Sequence, residues 1–159
     1  MDHSWMGEAL REAEGALRMG EVPIGAVVVR KGHIIGRGRN EVERRGSATA
    51  HAEILALEEA SRTVGDWRLE ECTLYATVEP CHMCLGACYH ARVSRVVYGA
   101  RQPRSGACGS QSDLHEKRLF NHHIEVSGLV REEESIRLLK SFFQGVRSVN
   151  TSRRDARAG

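Results

Sequence analysis

Apolar residues along this chain recur with two periods, and the points where one gives way to the other mark its elements. Trp5, Ala9, Leu10, Ala13, Ala16 and Leu17 follow helical spacing and stop at Gly20, which predicts a helix ending there. Residues 24–30 and 33–39 are two β-rich runs parted only by Lys31-Gly32, which predicts a hairpin. Residues 50–60, rich in Ala, Leu and Glu, are expected to be helical, 73–78 extended, and 81–90 helical again, opened by Pro80. The pattern continues with a strand at 95–99, a Gly/Ser/Pro-rich loop at 100–112 and a short strand within 124–130. It closes with a helix at 132–146 that carries Ile136, Leu139, Phe142 and Phe143 on its apolar side.

Strands that alternate with helices pair in parallel through crossovers, whereas two strands joined by a short turn must be antiparallel. The expected sheet is therefore mixed and five-stranded, and it needs helices on both faces to cover it. The fold class that follows is α/β, a three-layer α/β/α sandwich. At 159 residues and 41% hydrophobic, the chain suffices for one domain with a substantial core. We place that domain at 1–147 and expect 148–159 to form a basic, flexible tail.

The net charge of +2 is too mild to announce a nucleic-acid binder, but its distribution is uneven. Beyond residue 136, Arg137, Lys140, Arg147, Arg153, Arg154 and Arg157 face the single acid Asp155, so that segment carries +5 and the rest of the chain −3. Such a segment suits an anionic partner or is a solvated end. The first residues lack the basic-then-apolar order of a secretory signal, and no apolar run approaches membrane-spanning length. Five cysteines at uneven spacing do not suggest a disulfide framework, so a cytoplasmic protein is expected.

His51-Ala52-Glu53 opens one predicted helix, and Pro80-Cys81-His82-Met83-Cys84 opens another. Cys81 and Cys84, at i and i+3, can bind one ion together. With His51 they make three zinc ligands, which leaves a fourth position for water, the arrangement of a catalytic rather than a structural site. Glu53 lies two residues from His51, so the pair converges only in the first turn of its helix. One mobile carboxylate beside the water can make every proton transfer that replacing an aromatic amino group by oxygen requires. A lone C-x-x-C fits buried packing cysteines equally well; the joint pattern of ligand type, spacing and helix starts does not. Cys88, at i+4 from Cys84, would allow a three-cysteine site, but a fourth protein ligand would close the metal, so Cys88 is expected to be buried. Cys72 and Cys108 read as packing thiols.

With these residues in place the chain resembles the bacterial tRNA-specific adenosine deaminases of the cytidine deaminase-like superfamily, over roughly residues 5–147. The matches beyond the zinc signature are Glu21 to Ala26, Asn40, the Gly99 to Ser110 loop, Asn121-His122 and Phe142-Phe143. The resemblance implies one Zn2+ per subunit and a homodimer whose groove for the tRNA anticodon stem-loop uses both subunits. It also implies that Asn40 hydrogen-bonds the purine, that Val22 and Ala52 border the base, and that Gln102, Asn121 and Phe143 contact the substrate. Read alone, Asn40 and Asn121 are equally turn residues, and the Phe pair equally core. Gln102 departs from the family, where aspartate is usual. Its neutral amide can donate and accept at a ribose hydroxyl and removes a negative charge near phosphates.

Three functions fit. The first is hydrolysis of the wobble adenosine of a tRNA anticodon loop to inosine, with an activated water attacking C6 and Glu53 shuttling protons. The alternative is deamination of a free base, nucleoside or nucleotide of the cytidine, deoxycytidylate or guanine type. A third is a non-catalytic, zinc-stabilised RNA-binding domain, in which Glu53 has no task.

Overall fold

The computed structural model describes residues 1–118 and 120–158. Helix α1 (Asp2–Arg18) leads into the hairpin β1 (Gly25–Arg30) and β2 (His33–Arg39). Lys31 and Gly32 both take left-handed backbone angles, φ 49° and 75°, as a tight turn with the strands' own twist demands. A one-turn helix α2 (Val42–Arg45) precedes α3 (Ala52–Val64), β3 (Cys72–Val78), α4 (His82–His90) and β4 (Arg95–Ala100). A 3-10 turn at Leu114–Lys117, β5 (Glu125–Ser127) and α5 (Glu132–Ala158) complete the described chain.

The sheet runs β2-β1-β3-β4-β5. β1 is antiparallel to both β2 and β3, while β3, β4 and β5 are parallel. Side-chain alternation divides the core into two. Ala26, Val28, Leu74, Ala76, Val96 and Tyr98 pack against α3 and α4, with Ala52, Ala56, Leu85 and Cys88. On the other face Val27, Val29, Tyr75 and Val97 pack against Met6, Ala9 and Leu10 of α1, joined by Leu138 of α5. The result is the expected mixed five-stranded α/β/α sandwich.

Two features hold the helical layers in register. On one face, Asp2 accepts hydrogen bonds from Arg95 at 2.8 and 2.9 Å and from the Tyr75 hydroxyl at 2.8 Å, which ties the start of α1 to β3 and β4. On the other face, Gly36 and Gly38 let α3 lie directly on β2. A Cβ on Gly38 would come within 2.6 Å of the Ala56 nitrogen and nearer still to the Ala52 carbonyl oxygen.

Residues 148–158, expected to be a flexible tail, continue α5 as helix, and Gly159 lies outside the described residues. The segment contains Arg and Ala and no proline, and the hydroxyls of Ser148, Thr151 and Ser152 bond back to carbonyls four residues earlier at 3.0–3.1 Å. Among the described residues nothing buries this end: residues 143–158 are exposed, including Phe143, Val146 and Val149.

Candidate active site

The site is built where two helices start. His51 is the N-cap of α3 and Cys81 the N-cap of α4, both with extended backbone (φ −75°, ψ 151° and φ −75°, ψ 175°), and neither cap makes a side-chain hydrogen bond to its own helix. Glu53 and Cys84 therefore lie in first turns, as the two-residue spacing of His51 and Glu53 requires. The unpaired N–H groups and positive dipole ends of both helices favour anions at this point.

His51 Nδ1 lies 3.8 Å from the Cys81 sulfur and 3.5 Å from that of Cys84, and the three donor atoms are within 4.8 Å of one another. A tetrahedral zinc with bonds of about 2.3 Å to sulfur and about 2.0 Å to nitrogen sets S···N edges of about 3.6 Å, so this donor set fits the ion. A hydrogen bond from Cys84 and then His51 bring Cys81 down to about 4, while the same contact and burial push Cys84 up. Cys88 is fully buried in the core, where desolvation raises its thiol far above the ordinary range, and it is not among the clustered donors.

Glu53 is only 4% exposed, and burial raises its pKa. It borders, with His51 and Cys81, a cavity of about 310 Å³ whose other walls include Glu21, Val22, Ile24, Asn40, Ala52, Val78, Glu79, Gln102, Ser105 and Phe142. Among the residues expected at the substrate, the fold thus brings Val22, Asn40, Ala52 and Gln102 to the cavity beside the His51, Cys81 and Cys84 donors. The Asn40 amide is partly engaged, donating to the Val22 carbonyl at 3.3 Å and accepting from the Val42 N–H at 3.2 Å. One N–H and one lone pair remain for a ligand.

Asn121 is not brought to this cavity; it lies in a separate groove beside Trp67, His90, Arg92 and Phe120. Phe143 is 48% exposed and stands edge-on to Phe142, with ring centroids 5.3 Å apart, so Phe142 is the aromatic that lines the cavity.

The family model of the MafB19-like deaminases matches residues 1–147. The chain belongs to the MafB19-like deaminase family. This deaminase is 47% identical over 146 residues to the tRNA-specific adenosine deaminase of Bacillus subtilis, covering 92% of the chain and 91% of that relative. A solved structure from work on A-to-I editing by tRNA:A34 deaminases matches with a TM-score of 0.79 at 39% identity, covering 86% of this chain and 99% of that one. A guanine deaminase from Nitrosomonas europaea matches with a TM-score of 0.77 at 25% identity, covering 88% and 83%.

Two buried acids of the deaminase carry functions that spacing alone did not reveal. Glu21 accepts from the Glu43 and Arg44 N–H groups, at 3.3 and 2.6 Å, and so anchors α2 at the cavity's edge. Glu79, 2% exposed, receives the N–H groups of Gln102, Cys108 and Ser110. The sequence signal for Glu79 is an acid at the end of an apolar strand, since a charge buried there must be hydrogen-bonded.

Proposed function

We propose that this deaminase converts the wobble adenosine of a tRNA anticodon loop to inosine, with His51, Cys81 and Cys84 as metal ligands and Glu53 as the proton shuttle. The observation that carries the reading is the cavity, where a polar pair, Asn40 and Gln102, and apolar walls converge on Glu53 and the three-donor cluster. The Bacillus subtilis relative supplies the substrate class. A base in an exposed loop can be turned into such a cavity at little unstacking cost.

His51, Cys81 and Cys84 would hold zinc, and the chemistry it supplies when bound is Lewis acidity that brings the ionisation of water to near neutral pH. Glu53 does the proton traffic. As a carboxylate it takes one proton from the attacking water and delivers it to N1 of the adenine. It then collects the remaining hydroxyl proton and hands it to the exocyclic nitrogen, which leaves as ammonia. Adenosine and water thereby give inosine and ammonia, with Glu53 returned to its starting state. Burial suits the residue to this work, because a raised pKa narrows the gap between taking a proton and giving one up.

Val22, Ala52 and Phe142 enclose the base in this reading, while Asn40 and Gln102 address its polar edge and the ribose. Asn121 and Phe143 lie outside the cavity and in this reading act on flanking nucleotides. In this reading the enzyme is a homodimer in which each chain contributes to the other's RNA surface. No helix among the described residues is long and apolar enough to cross a membrane; in this reading the enzyme meets its tRNA in the cytoplasm.

Zinc-loaded protein incubated separately with an anticodon stem-loop, adenosine, cytidine and guanine tests the reading through ammonia release. Release from the stem-loop alone is expected. Release from guanine or a free nucleoside, with none from the stem-loop, would move the assignment to a small-molecule deaminase such as the Nitrosomonas europaea neighbour.

A further inference from the structure

The carboxylate of Glu79 is the best-bonded buried charge near the cavity, yet the chemistry above gives it no task. It sits just beyond β3, and its partners are backbone N–H groups and a hydroxyl rather than a cation. Oε1 accepts from the Cys108 N–H at 2.9 Å and the Ser110 N–H at 3.0 Å; Oε2 accepts from the Gln102 N–H at 3.0 Å and from the Ser110 hydroxyl. All of these donors belong to one loop. The loop closes so tightly over the carboxylate that a Cβ on Gly106 would come within 2.6 Å of Oε1. From this loop Gln102 and Ser105 face the cavity.

We propose that Glu79 is a positioning residue, whose side chain holds the 101–110 loop as the cavity's wall and so sets substrate binding without serving the metal. Backbone and side chain divide the work. The Glu79 N–H bonds the Ala100 carbonyl at 2.8 Å, a main-chain bond outside the loop that any residue at 79 would keep, and the Ala107 N–H reaches the Pro80 carbonyl at 2.9 Å, so main-chain bonds that do not use the Glu79 side chain also hold the path to Cys81. The carboxylate acts on the loop alone. It is also the only ordinary side chain of this shape that suits four converging donors, because both of its oxygens accept. A glutamine can satisfy one side; its NH2 then meets the Gln102 N–H, donor against donor, and that end of the wall is released.

This inference rests on the proposed deaminase reading, and the test separates the two. Glu79→Gln is compared with the full wild-type chain by zinc content, by hydrogen exchange of the 101–110 amides, and by kcat and KM on an anticodon stem-loop. Expected are wild-type zinc, exchange at the Gln102 amide faster by about tenfold, and KM raised about tenfold with kcat within about twofold. Ser110→Ala removes one bond and leaves the carboxylate, so it provides a folded, milder variant with the same pattern at about threefold. Loss of zinc, a fall in kcat at constant KM, or unchanged exchange would each overturn the proposal. Should the wild-type protein leave the stem-loop untouched, the deaminase reading for tRNA fails, while exchange and zinc content, which need no turnover, still decide whether Glu79 holds the loop.

Discussion

Gly38→Ala probes the packing that places the first turn of α3, and with it His51 and Glu53, over the sheet. The added Cβ would stand 2.6 Å from the Ala56 nitrogen and closer to the Ala52 carbonyl oxygen. Ordinary packing needs about 3.3 Å or more, so the helix start must retreat by about 1 Å, since both obstacles are backbone. Overpacking of this kind costs about 1–3 kcal/mol, and the alanine returns about 0.4–1 kcal/mol by restricting the unfolded chain. A net loss of about 1–2 kcal/mol is expected. The catalytic loss should be larger in proportion, because a misplacement of about 1 Å at a reacting group can cost about 100-fold in rate. Gly36→Ala is the matched control: its Cβ would meet Ala56 and Ala60, one turn farther from the site, so a similar stability loss should come with far less loss of turnover. Urea denaturation gives the first quantity, and turnover of the zinc-loaded variants gives the second. Equal activity losses in the two variants, or wild-type stability and rate in Gly38→Ala, would refute the idea that the close approach of α3 to Gly38 positions the site.

Glu53→Gln should retain one zinc per chain, because the residue is not among the clustered donors, yet lose about 10²–10⁴-fold in kcat, because an amide cannot carry protons; metal analysis showing zinc-free protein would reverse the roles. Asp2→Asn should matter through pH. Arg95 and Tyr75 hold the Asp2 carboxyl at about 2, below its ordinary 3.8, so its contribution is complete above about pH 4 and fades as pH falls toward 2. With the group a third exposed, we expect the variant to be about 1 kcal/mol less stable at pH 7 and the difference to vanish near pH 2, as read by thermal melts across that range. Truncation after Gln144 removes Arg147, Arg153, Arg154 and Arg157 but keeps Phe142 and Phe143. It should weaken stem-loop binding and flatten the logarithmic salt slope by about 0.7–0.9 for each phosphate that these arginines neutralise, with zinc unchanged; a slope identical to the full chain's would make the end of α5 a solvated helix only.

What the sequence by itself determined is local. Lys31-Gly32 between two β-rich runs dictates a hairpin because only a tight left-handed turn joins strands that closely, and the structure has it. The two segments that start with His51 and Cys81 were legible as helix openings because the Ala/Leu/Glu run after His51 and Pro80 before Cys81 are signals that act over a few residues. Tertiary structure decided everything that depends on which distant segments meet. The crossover through α3 lays β3 beside β1, which brings the Cys81 end of one segment to His51 of another, thirty residues away. Phe142 rather than Phe143 lines the cavity, a choice that helical spacing leaves open and that the docking of α5 on the sheet makes. Asn121 lies apart because its loop, leading into β5, borders Tyr89 and His90 of α4 rather than the cavity. The helix of residues 148–158 had no periodic signal because nothing packs against it, and hydrophobic periodicity reports burial rather than backbone conformation. Glu79 shows the reverse case: an ordinary glutamate in the sequence becomes the anchor of the cavity wall only when folding turns three backbone N–H groups toward it and excludes the water that would otherwise have bonded them.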